Sequence, residues 1–252
     1  MEIQPQITPD LSGGLASLTD AAEFARVSLG WTPDPKQTLA LQTGARNVIL
    51  NCSRQWGKST VAATKIVHKA LSCPGTLSII VAENLAQTAE VFQKIDGFLS
   101  HLDIQAKTER GKFIARFLPH CGSRIIGIAA REQAVRSYTA DFVLIDEAAR
   151  IPDPVIDSLL PVAAVKDADW WMASTPRGRR GRFYEMWEYS KPGPDQFKIS
   201  APASENPRIK PSFLQRVREE RGDNYFRQEF GCEFIENGQY LMDSSQVRDI
   251  CE

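Results

Sequence analysis

A lysine beside a hydroxyl, just after a glycine and where an apolar run gives way to a helix-forming one, is suited to holding phosphate. Gly57-Lys58-Ser59-Thr60 closes the stretch Asn51–Thr60, NCSRQWGKST. The apolar run Asn47–Leu50 precedes it, and Val61–Leu71 has helical character after it. Strand, tight loop and helix is the order a phosphate-binding loop requires. Gly57 lets the backbone approach a phosphate with no Cβ in the way, Lys58 can reach the β- and γ-phosphates, and the Ser59 hydroxyl can ligate Mg²⁺. The new helix adds free N–H groups and the positive end of its dipole. The pattern GxxxxGK[ST] begins with glycine where this chain has Cys52. A surface turn that happens to contain Gly-Lys-Ser is the bland alternative, and partners elsewhere must decide.

Asp141-Phe-Val-Leu-Ile-Asp-Glu-Ala-Ala supplies such partners. An apolar strand delivers Asp146 and Glu147 to its C-terminal end, where open α/β sheets bind ligands. Asp146 is suited to holding Mg²⁺, directly or through water, and Glu147 to polarising an attacking water as general base. A strand ending in an acidic helix cap would look similar, but not downstream of a phosphate loop. Trp170–Pro176, WWMASTP, is a third apolar strand, ending in hydroxyls. Ser174 and Thr175 can bond a phosphate oxygen or its water and pass the change onward, or simply form an ST-turn closed by Pro176.

Arg177, Arg179, Arg180 and Arg182 follow at once, four guanidinium groups in six residues. They stand ahead of an expected helix N-terminus, where cations are unfavourable. A polyanion, DNA or nucleotide phosphate, would account for them; a solvated loop would too. Gln37 stands shortly before the phosphate loop, where several nucleotide-driven DNA motors use an aromatic and a glutamine to hold adenine.

These groups need a scaffold. Strands are expected at Asn47–Leu50, Leu77–Ala82, Lys112–Leu118, Arg124–Ala129, Phe142–Ile145, Trp170–Ala173 and Phe197–Ser200, with a short one within 103–108. Helices are expected at Thr19–Leu29, capped by Thr19 or Asp20, and at Lys36–Thr43, Val61–Leu71, Asn84–Leu102, Pro152–Val165, Phe183–Tyr189 and Pro211–Arg221. Arg131–Tyr138 is a polar connection. The alternation predicts an α/β fold with a largely parallel sheet covered on both faces. The 252 residues allow one generous domain, and 42% hydrophobic with 24% charged residues is ordinary for a globular chain. A net charge of −1 means that any DNA contact must be local. Five scattered cysteines without a CxxC suggest reduced thiols, and the lack of an apolar membrane span or leader points to the cytosol.

With SRQWGKST, FVLIDEAAR and ASTPRGRRGRFYE in this order, the chain resembles the ATPase domain of the large terminase subunit of tailed bacteriophages over roughly residues 31–235. Ser-Arg-Gln-x-Gly-Lys-Ser is more specific to that family than the generic loop, and the family varies the first-glycine position. The resemblance implies a three-layer P-loop NTPase of ASCE type that takes ATP and Mg²⁺. Ser53, Arg54, Gln55, Trp56, Gly57, Lys58, Ser59 and Thr60 would cradle the nucleotide, with Lys58 and Arg54 acting on the γ-phosphate and Gln37 on adenine. Ser59 and Asp146 would hold the metal, Glu147 the water, and Ser174-Thr175-Pro176 would couple hydrolysis to movement. Arg136, with Arg131 as the near alternative, would reach into a neighbouring subunit's site.

The implied partners are double-stranded DNA, a portal protein, the small terminase subunit and further copies in a ring, in the cytoplasm of an infected bacterium. Residues 1–30 would be an arm and short helix, 31–235 the ATPase, and 236–252 the start of a linker towards a nuclease domain that the chain is expected to lack. A helicase-like translocase is the rival, though it would need a second motor domain. A nucleotide-dependent scaffold is another, and Glu147 argues against it.

Overall fold

A computed structural model describes residues 20–130, 138–191 and 193–236. The chain runs α1 (Ala21–Val27), α2 (Pro35–Gln42), β1 (Asn47–Cys52), α3 (Lys58–Ser72), β2 (Leu77–Ala82), α4 (Leu85–His101), β3 (Lys107–Arg110), β4 (Ile114–Leu118), β5 (Ser123–Ala129) and β6 (Phe142–Asp146). It continues through α5 (Asp153–Ala164), β7 (Asp169–Ser174), α6 (Gly181–Tyr189), β8 (Gln196–Ala201), α7 (Pro211–Arg221) and α8 (Asp223–Glu229). The eight strands form one sheet in the order β3-β4-β5-β2-β6-β7-β1-β8. From β5 to β8 all neighbours are parallel, and β3 and β4 extend the sheet as antiparallel strands.

Side-chain alternation along the strands makes the three layers. Val48 and Leu50 of β1, Phe142 and Leu144 of β6, and Trp171 and Ala173 of β7 join one core, while Ile49, Val143, Ile145 and Met172 join the other. Helices α1 to α4 cover the first face with Phe24, Leu41, Val61, Ile66, Val91 and Phe92. Helices α5 and α6 cover the second with Val155, Ile156, Leu159 and Phe183. Each such large side chain, fully buried, contributes roughly 1.5–3 kcal/mol. At Gly127 of β5, an added Cβ would lie 2.2 Å from Thr88 Cγ2 and 2.5 Å from Phe92 Cε2. Only glycine lets α4 sit this close to the sheet.

The caps follow the sequence. Asp20 accepts from the Ala22 and Glu23 amides, Asp34 and Gln37 form a reciprocal capping box, and Asn84 accepts from the Gln87 amide. Several boundaries shift from expectation, among them the starts of β4 at Ile114 rather than Lys112 and of α6 at Gly181 rather than Phe183. The short strand expected within 103–108 is the exposed Lys107–Arg110, and α3 begins at Lys58 rather than Val61. The polar run Lys58–Thr60 hides the helix start because it carries no apolar residue to begin the helical periodicity. No helix among the described residues is long and apolar enough to cross a membrane.

Candidate active site

The parallel registers align three strand tips. Asp146 of β6 pairs with Ala173 of β7, and the next residue, Ser174, pairs with Asn51 of β1. β7 thus lies between the strand that feeds the phosphate loop and the strand that carries the acids.

The loop residues Ser53–Gly57 join β1 to α3. Gly57 has φ 102° and caps α3 without a side chain, leaving first-turn N–H groups with no side-chain cap. Lys58 is buried and folds back so that Nζ lies 3.3 Å from the carbonyl oxygens of Cys52 and Ser53. The same Nζ lies 3.7 Å from Glu147 Oε1. Glu147 Oε2 lies 3.4 Å from Ser174 Oγ and 4.0 Å from Arg150 Nε. Its backbone is left-handed, φ 50° and ψ 44°, a conformation that costs a non-glycine residue about 1–3 kcal/mol and that collects at functional sites. Ser174 is fully buried; its hydroxyl donates towards the Thr175 carbonyl at 2.7 Å or Glu147 Oε2 and accepts from the Ala149 amide at 3.2 Å.

Asp146 is buried, and Oδ1 accepts from the Glu147 amide at 3.1 Å. Burial chiefly, and then the like charge of Glu147, push its carboxyl up to about 6, against the opposing pull of Lys58. The site fits a phosphate with a divalent cation. Ser53 Oγ is buried inside the loop without a hydrogen-bond partner, as suits a group waiting for a phosphate oxygen. The desolvated Asp146 gains from a cation, and half-buried Ser59 stands one residue after Lys58 at the start of α3. No group of three or more His, Cys, Asp or Glu among the described residues forms a metal cage.

Other expected residues divide. Gln37 is buried, with Oε1 accepting from the Asp34 amide at 2.9 Å and Nε2 donating to the Trp56 carbonyl at 2.8 Å. The amide is thus engaged by the α2 capping box and by the phosphate loop. Arg54 Nε donates to Glu229 Oε2 at 2.7 Å. Arg177 and Arg180 are exposed and make no ion pair or side-chain hydrogen bond to any other described residue. Arg179 Nε donates to the Phe234 carbonyl at 3.1 Å. Arg182 forks onto Asp157 at 2.8 and 2.9 Å and pairs with Glu185 at 2.7 Å. These acids hold Arg182 between α5 and α6, whereas Arg177 and Arg180 lack such partners among the described residues. Arg131 and Arg136 lie outside the described residues.

Arg150, Asn206, Arg208, Gln228 and Glu229 escaped the sequence reading. Asn206 Nδ2 donates to the Gln55 carbonyl at 3.0 Å, Arg208 Nη2 to the Trp56 carbonyl at 3.1 Å, and the Gly178 amide to Gln228 Oε1 at 3.3 Å. Arg150 alone left a trace, standing three residues after Glu147.

A phosphate loop after β1, an adjacent Asp-Glu at the tip of β6 and an intervening β7 define a P-loop NTPase of the ASCE class. A family profile described as "Terminase large subunit, T4likevirus-type, N-terminal" matches residues 49–247, and the chain belongs to that family. It is 27% identical over 247 residues to the large terminase subunit of Thermus phage G20c, covering 82% of this chain and 50% of that protein. It is 28% identical over 215 residues to the large terminase subunit of Escherichia phage T5, covering 81% and 48%. The large terminase ATPase domain of Thermus phage P74-26 superposes with a TM-score of 0.71 at 24% identity, over 84% of this chain and 98% of that domain. The chain spans about half the length of these phage proteins.

Proposed function

We propose that the chain binds ATP with Mg²⁺ and hydrolyses it to drive double-stranded DNA into a viral procapsid. One observation carries this: Lys58, Glu147 and Ser174, from three separate elements, meet within 3.4 to 3.7 Å at the C-terminal edge of a parallel sheet. Lys58 would leave Glu147 for the β- and γ-phosphates, with the Ser53 hydroxyl and the first-turn amides of α3 holding the phosphate oxygens. Released from the ammonium, Glu147 would take the proton of the attacking water as general base. A bound Mg²⁺, held by Ser59 and Asp146, would supply positive charge at the phosphates. Ser174 touches both Glu147 and the Thr175 carbonyl, so loss of the γ-phosphate would reach Ser174-Thr175-Pro176 directly. Arg54 would act in cis after leaving Glu229, and Arg136, or Arg131, in trans between copies of a ring.

Family membership supports the wider assignment. Residues 31–235 would form the motor, after an N-terminal arm and helix, with 236–252 leading towards the second half of the longer relatives. The portal protein and small terminase subunit would be its partners in the host cytoplasm. Phosphate release from ATP by the purified chain tests the core of the proposal. Lys58→Ala is expected to abolish it together with nucleotide binding, and turnover unchanged by that substitution sinks the assignment.

A further inference from the structure

The phosphate loop is gripped from outside by three side chains whose bonds share one consequence. Gln37 Nε2 and Arg208 Nη2 both donate to the Trp56 carbonyl, at 2.8 and 3.1 Å, and Asn206 Nδ2 donates to the Gln55 carbonyl at 3.0 Å. The grip is itself braced. Asn206 Oδ1 accepts from both Arg208 N and Arg208 Nε at 3.1 Å, and Gln37 is fixed by its capping box with Asp34. Gln37 and Asn206 are 4% and 5% exposed, so neither moves freely. The gripped carbonyls lie between two left-handed residues, Gln55 at φ 64° and Gly57 at φ 102°. A Cβ on Gly57 would come within 2.9 Å of Gln37 Nε2.

A trans peptide unit is planar, so its C=O and the following N–H point in opposite directions. Holding the Gln55 carbonyl outward therefore aims the Trp56 amide inward, and holding the Trp56 carbonyl aims the Gly57 amide inward. An anion needs those amides turned towards it and repels carbonyls turned the same way. We propose that Gln37, Asn206 and Arg208 are positioning residues that pre-orient the Trp56 and Gly57 amides for the phosphates of a nucleoside triphosphate, an inference that rests on the nucleotide-binding function proposed above. Gln37 serves the phosphate end of the ligand, not its base. The turn beyond β8 that carries Asn206 and Arg208 becomes part of the binding site without touching the ligand.

Equilibrium binding of N-methylanthraniloyl-ATP, N-methylanthraniloyl-GTP and inorganic triphosphate, each with Mg²⁺, tests this on the full chain. Gln37→Met, Asn206→Ala and Arg208→Ala should each weaken all three ligands by the same factor, about three- to tenfold. Arg208→Lys, which keeps one donor, should recover part of the loss. Thermal melting identifies any variant that fails to fold; Arg208 is exposed, so its replacement keeps the test open if the buried changes unfold the chain. Loss confined to the adenine nucleotide on changing Gln37 would overturn its assignment and make it a base reader. Unchanged affinity in folded variants, with binding still lost in Lys58→Ala, would overturn the grip and leave the nucleotide site standing. A wild-type chain that binds none of the three would overturn both.

Discussion

Lys58 Nζ lies 3.7 Å from Glu147 Oε1, joining the phosphate loop to the acidic strand through a buried ammonium. In the proposed site the pair would hold the two groups in line for one triphosphate, yet it would also make Glu147 a competitor for the cation that the phosphates need. Glu147→Gln keeps the shape and removes the charge. Nucleotide affinity should be retained or tightened, while turnover falls by about 10²–10⁴, the range for losing a general base. Binding measured beside steady-state phosphate release checks this. Equal turnover in both proteins removes Glu147 as the base.

Asp146 sets a second expectation, about stability. Its carboxyl is pushed up from 3.8 to about 6 by burial and by Glu147. The folded chain therefore holds a proton that the unfolded chain has already lost, and stability falls as pH rises from 3.8 to about 6, then levels. Asp146→Asn removes that penalty. Without metal or nucleotide, the variant should be more stable than wild type above pH 6 by roughly 3 kcal/mol, with the gap closing as the solution is acidified. Urea unfolding in EDTA across this range reads it directly. The same variant should lose Mg²⁺-dependent turnover, and a gap that does not vary with pH would remove the desolvated acid as its cause.

Legibility in the sequence tracked how local the physics was. Leu77–Ala82 and Phe142–Asp146 are read easily because unbroken apolar runs leave few options for a strand covered on both faces. Asn84 and Asp20 announced their helices because a cap acts within three residues. The start of α3 was obscured because Lys58, Ser59 and Thr60 are polar and give the helical periodicity nothing to begin on. Gln37 was placed near the loop correctly, but its direction depends on a capping box and a carbonyl 19 residues away. Glu229 and Asn206 were invisible because their partners stand 175 and 151 residues earlier. The arginine run looked uniform as letters, and only the distant Asp157 separates Arg182 from Arg177 and Arg180.

Arg54 is half exposed while Glu229, its partner at 2.7 Å, is nearly buried. Removing the arginine strands a carboxylate, whereas removing both partners does not. Arg54→Ala should therefore lower stability by about 1–3 kcal/mol, and Arg54→Ala with Glu229→Gln should recover most of it. If Arg54 serves the γ-phosphate, turnover stays low in both variants despite the recovered stability. Urea unfolding and phosphate release on wild type and these two variants separate the roles, and turnover that recovers with stability would leave Arg54 a purely structural residue.

The arginines after β7 should separate in the same manner. Arg177 and Arg180 are exposed and without ionic partners among the described residues, while Arg182 is held by Asp157 and Glu185. Each phosphate neutralised on duplex DNA releases counterions and steepens the salt dependence by about 0.9. Arg177→Ala with Arg180→Ala should weaken duplex binding and flatten the plot of log affinity against log salt by up to about 1.8, with melting temperature unchanged. Arg182→Ala should do the reverse, lowering the melting temperature by releasing α6 from α5 while leaving the salt slope alone. A slope that falls with Arg182 and not with the exposed pair would return the DNA contact to the helix and remove it from the loop.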